Sequence, residues 1–99
     1  GRNTDKAPFY PSSYSTENIL SVASINKAGE LLKTSNYGSA SVDVAAPGKK
    51  IYSTLPDNKY GYLTGTSQST AFVSGAAALI MSKFPGINLK EIKKRIINT

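Results

Sequence analysis

Leu63-Thr64-Gly65-Thr66-Ser67-Gln68-Ser69-Thr70-Ala71-Phe72-Val73-Ser74-Gly75-Ala76-Ala77-Ala78-Leu79 is the stretch whose reading decides the fold. It runs from a turn into a helix. Gly65 allows a sharp turn or the close approach of another backbone. From Thr66 onward small and apolar residues follow one another densely, and the pattern predicts a helix that ends near Phe84, before Pro85-Gly86. A helix apolar on nearly all sides is a buried helix. Ser67 therefore stands at the N-terminus of a buried helix. The first N–H groups there have no internal acceptor, and the helix dipole favours negative charge beside them. Two readings of Thr66 and Ser67 follow: an ordinary N-cap, or a nucleophile whose developing oxyanion the helix start would stabilise.

Upstream, the chain reads as short strands separated by turns. Gly1 to Tyr14 is polar and rich in turn formers. Ile19 to Ile25 and Val42 to Ala45 read as buried strands, the second closed by Pro47-Gly48. Leu31 to Thr34 reads as a short strand after the Lys27-Ala28-Gly29-Glu30 turn. Ile51 to Thr54 and Tyr60 to Leu63 flank a Pro56-Asp57-Asn58 turn and are expected to pair back. Downstream, Asn88 with Glu91 three residues on marks the start of a last helix, with Leu89, Ile92 and Ile96 on one face and Lys90, Lys93 and Lys94 elsewhere. Short strands and two helices are thus expected in one chain.

Composition sets the limits. The chain has 99 residues, 39% hydrophobic and 18% charged, which fits a globular chain with a small core. There is no cysteine, which excludes disulfides and thiolate metal sites. No apolar run is long enough to span a membrane. The net charge is +6, but the basic residues of the last helix lack interleaved aromatic residues. A solvated helix face is the expected reading, and neither a nucleic acid nor a membrane is an expected partner. There is no histidine, so the commonest general base near neutral pH is absent.

Several ordered blocks then bear on Ser67. Tyr10-Pro11-Ser12-Ser13-Tyr14, Asn18-Ile19-Leu20-Ser21-Val22-Ala23, Ser35-Asn36-Tyr37-Gly38, Val42-Asp43-Val44-Ala45-Ala46-Pro47-Gly48 and Ile51-Tyr52-Ser53-Thr54 precede Gly65-Thr66-Ser67. Together they resemble the C-terminal part of the catalytic domain of subtilisin-like serine proteases, over nearly the whole chain. The resemblance implies that residues 1–99 are part of a three-layer α/β/α fold with a mostly parallel sheet. It implies serine endopeptidase activity in the complete protein, with Ser67 as nucleophile, its own N–H as half of the oxyanion hole, and Thr66 in support. Thr64 and Gly65 would line the substrate cleft, and Phe9 the floor of the primary specificity pocket. The Tyr10–Pro11 bond would be cis. Backbone oxygens near Ser12 and Tyr14, with the Asp43 carboxylate, would form a weak cation site of the kind that takes calcium; the alternative for Asp43 is a strand-end carboxylate that accepts from nearby backbone.

The sequence departs from the family where Met-Ala-x-Pro-His usually follows the serine: here stand Gln68, Ser69, Thr70, Ala71 and Phe72. The family's catalytic Asp and His and its oxyanion Asn come earlier in the chain order, and Asn3 does not match that Asn. The chain by itself is accordingly expected to be inactive. The expected partners are a protein or peptide substrate and the remainder of the catalytic domain, with a swapped or oligomeric assembly as another way to cover the helix. A secreted or cell-envelope location is implied by the resemblance alone. The competing reading is a non-catalytic, degenerate protease-like module used for binding or structure.

Overall fold

The computed structural model describes all residues, 1–99. Four strands and two helices follow in order: β1 Val22–Ile25, β2 Val44–Pro47, β3 Ile51–Leu55, β4 Lys59–Leu63, α1 Thr66–Lys83 and α2 Leu89–Ile97. β1 and β2 pair in parallel, with Val22 opposite Val44 and Ile25 opposite Pro47. β3 and β4 form an antiparallel hairpin. Its turn places Asp57 and Asn58 at positive φ, 64° and 56°, the backbone shape that a tight hairpin requires and that Asp and Asn tolerate.

The expected strand at Leu31–Thr34 does not form. Only an isolated antiparallel bridge joins Leu31 to Ile25. Asn26 Oδ1 accepts from the N–H groups of Ala28 and Glu30 and tightens the turn. The ladder then ends because Ser35 Oγ, rather than a strand carbonyl, accepts the Ser24 N–H at 2.9 Å. β1 likewise starts later than expected. The Asp43 side chain, through Oδ2, takes the Ser21 N–H at 2.8 Å and stands in for a ladder bond.

α1 packs on the parallel pair and α2 packs on α1. The core is formed by Ala46, Val73, Ile92 and Ile96, with Leu20, Val44, Ala77 and Ile80 packed against it. α1 does not sit buried on all sides as its composition predicts. Ser69 and Val73 are its buried residues, whereas Phe72, Leu79 and Met81 are half or more exposed. A two-stranded sheet and one nine-residue helix are too small to cover more than one stripe of an 18-residue helix. α2 starts as expected, with Asn88 Oδ1 accepting the Glu91 N–H at 2.9 Å. Its Leu89 remains exposed while Ile92 and Ile96 are buried.

Candidate active site

The start of α1 is held from behind by the turn after β2. The Gly48 carbonyl accepts the Gly65 N–H at 2.8 Å. Thr64 Oγ1 accepts the Lys50 N–H at 2.9 Å, so the Thr64 hydroxyl ties two loops together. Gly65 is the N-cap residue with extended backbone, and no side chain caps the helix. No acidic residue lies in the first turn. The orphan N–H groups at Ser67 thus keep their positive character undiminished.

The hydroxyls around Ser67 are engaged. Ser69 Oγ donates to the Gly65 carbonyl at 3.5 Å, and Thr70 Oγ1 to the Thr66 carbonyl at 2.8 Å. Ser67 itself is exposed. It lines a cavity of about 390 Å³ with Ile51, Tyr52, Leu63, Gln68 and Phe72. Thr66 faces the other side, where a cavity of about 350 Å³ also has Phe9, Pro11, Val42 and Thr70 in its wall. The two cavities flank the helix start, and Phe9 shares a wall with Thr66 but not with Ser67. The chain has no histidine, and no Asp, Glu or Lys is among the residues lining the Ser67 cavity.

The loop before β1 has the expected cis Tyr10–Pro11 bond. Tyr14 and Asp43 do line one cavity, of about 390 Å³. Ser12 instead lines the cavity beside Thr66. The donor set there does not fit a divalent cation. Its one carboxylate, Asp43, already takes the Ser21 N–H, and its other oxygen stands 3.9 Å from Lys93 Nζ. The same ammonium donates to the Thr16 carbonyl at 3.2 Å. A positive side chain thus sits among the oxygens that a cation would need. Asp43 acts as the strand-end carboxylate of the alternative reading.

Sequence reasoning missed four supporting residues. Gly48 sits so close to Ser24, Ser69 and Gly65 that a Cβ there would meet Ser24 Oγ at 1.9 Å. Lys93 read as a solvated helix lysine. Leu63 and Phe72 read as strand and helix residues, not as walls of the Ser67 cavity. The Pro47-Gly48 pair was a visible turn signal, but only the fold shows what it approaches.

A profile of the subtilase family matches residues 1–99. The chain belongs to the subtilase family. This subtilase chain is 43% identical to thermitase of Thermoactinomyces vulgaris over 99 residues, all of the chain and 34% of that protein. It is 41% identical to a thermophilic serine proteinase of Bacillus sp. (strain AK1), again over the whole chain and 23% of that protein. Among solved structures, a cold-adapted subtilisin-like serine proteinase superposes with a TM-score of 0.74 at 32% identity, over 79% of the chain and 28% of its own. The subtilase chain spans about a third or less of the proteins it matches. Its fold is the subtilisin-like α/β fold over the part it contains.

Proposed function

We propose that the protein carrying this chain is a serine endopeptidase in which Ser67 is the nucleophile. The observation that carries this is the position of Ser67: exposed, at the start of an uncapped helix with no acid in its first turn, and bordering a cavity. Ser67 Oγ attacks the scissile carbonyl carbon while a base takes its proton. The carbonyl oxygen becomes an oxyanion, which the Ser67 N–H meets at the positive end of α1. The amine leaves with a proton returned by the base, and water then hydrolyses the acyl-enzyme. The chain has no histidine, so the base and its orienting carboxylate come from outside these residues. The remainder of the catalytic domain would also cover the open faces of α1. Thr64 and Gly65 border the substrate path, and Phe9 with Thr66 the primary pocket. Secretion or a place in the cell envelope follows from the relatives' character and belongs to this proposal. No step is routed through a metal.

The test is Ser67→Ala in the complete protein. It should abolish peptide hydrolysis, and a fluorophosphonate should label the parent protein but not the variant. The 99 residues alone should show neither hydrolysis nor labelling. Hydrolysis unchanged by Ser67→Ala refutes the assignment, whereas no hydrolysis and no labelling in the complete parent protein favours the non-catalytic, binding module.

A further inference from the structure

The β3–β4 hairpin exposes an aromatic row that the catalytic reading leaves unused. Tyr52 and Tyr62 are cross-strand partners, and Tyr60 is diagonal to Tyr52 on the same face. Their rings touch in sequence: Tyr62 to Tyr52 at 5.0 Å between centroids and tilted by 52°, and Tyr52 to Tyr60 at 5.9 Å, nearly parallel at 17°. Each residue is about two-thirds exposed, at 60 to 66%. Cross-strand aromatic pairs do stabilise a hairpin by roughly 0.2–1 kcal/mol each. That accounts for the contacts between rings but not for three large faces turned to solvent. Tyrosines grouped this way, amphipathic and stiff, are characteristic of contact surfaces.

The row touches two cavities. Its middle residue, Tyr52, borders the cavity that Ser67 lines. At one end, Tyr62 borders a cleft of about 450 Å³ whose wall includes Lys27, Lys49 and Lys50. None of these lysines has an ion-pair partner; the chain's two salt bridges are Lys93–Asp43 and Arg95–Glu91. The nearest acid in sequence, Glu30, accepts from the Asn26 side chain instead. Three unpaired ammonium groups around one cleft attract carboxylates.

We infer that the tyrosine row and the lysine cleft form an extended substrate surface for a peptide carrying acidic residues a few positions from the bond cut at Ser67. The inference rests on the endopeptidase reading. Continuity with the Ser67 cavity through Tyr52 favours a peptide over a nucleic acid. The peptide backbone would lie across the rings while its Asp or Glu side chains reach the lysines. Contacts of this exposed kind are weakened by salt.

The experiment uses the complete protein and two peptides, identical except for Glu or Gln a few positions from the scissile bond. The Glu peptide should be cleaved with kcat/KM about 3- to 30-fold higher at low salt, the sum of a few exposed charge pairs. The double variant Lys27→Gln/Lys49→Gln should bring the ratio close to unity. Binding to the Ser67→Ala protein, read by anisotropy of a dye-labelled Glu peptide, should fall by a similar factor in the double variant and in Tyr62→Ala. Cleavage of both peptides at equal rates, or a ratio the lysine variant leaves intact, overturns the inference alone. Tighter binding of an oligothymidylate than of the Glu peptide overturns it in favour of a nucleic-acid surface. Selective binding of the Glu peptide without any cleavage overturns the endopeptidase reading and not the surface.

Discussion

Replacing Gly48 by alanine tests how the Ser67 loop is held. The added carbon would stand 1.9 Å from Ser24 Oγ, 2.3 Å from Ser69 Oγ and 2.7 Å from the Gly65 carbonyl oxygen. A real Cβ essentially never comes within 3.0 Å, so the Ser24 hydroxyl would have to retreat by about 1.1 Å. Ser24 and Ser69 are almost fully buried, at 1% and 0% exposure. Ser24 is also pinned through its N–H to Ser35 and through its carbonyl to Leu32. Neither side can yield cheaply, and overpacking of this kind costs about 1–3 kcal/mol. The easiest release is outward movement of Gly48, which carries Gly65 with it through their 2.8 Å hydrogen bond. A shift of about 1 Å at the reacting group costs on the order of 100-fold in rate. Urea unfolding and kcat/KM of the complete protein measure both losses. Adding Ser24→Ala removes the shortest clash and should restore part of each. Ser24→Ala alone should not destabilise, because Ser24 Oγ is buried without a hydrogen-bond partner. Unchanged stability and rate in Gly48→Ala would refute the packing argument.

Lys93→Met should free the oxygens of Asp43 and Thr16; the variant should then gain about 1.4 kcal/mol of calcium-dependent stability over the parent at ten times Kd, and an identical calcium response of the two proteins counts against the lysine as the occupant. Asn88→Ala removes the cap of α2 and should cost about 1 kcal/mol in urea unfolding, while Asn88→Ser should retain most of it; an alanine variant as stable as the parent would show that the cap is idle. The Asp5 pKa lies below its ordinary 3.8, chiefly through hydrogen bonding from Ser41, with Ala40 and Ser39 adding to it. A depressed carboxylate contributes its stability in full above about 3.8 and loses it as pH falls through the lowered value. Amide exchange at Ala40 and Ser41 should therefore accelerate below pH 3.8 in the parent but be pH-insensitive, apart from the intrinsic rate, in Asp5→Asn.

The helices and the hairpin were legible because their signals are local: Asn88 with Glu91, Asp57-Asn58 at a turn, and the small-residue run after Gly65. The family was legible because the blocks around Ser67 stand in order. The cation site was not. Asp43 and the Tyr14 loop are brought together as the blocks imply, but Lys93 reaches them from a helix fifty residues later in sequence. A side chain that arrives from elsewhere leaves no mark on the segment it enters. The same holds for Gly48, whose importance lies in what surrounds it. Leu31–Thr34 failed for a different reason, since the apolar pair Leu31-Leu32 signals burial while the Ser35 hydroxyl ends the pairing.

The one-sided burial of α1 also opens the order of Ser67 to mass action. A partner that settled over Phe72, Leu79 and Met81 and bound only the folded helix would, by its concentration and affinity, set how often the first turn around Ser67 is intact. Loosening of such a cover would reach Ser67 as a lowered occupancy of its ordered geometry, without touching a single atom of the cavity it lines.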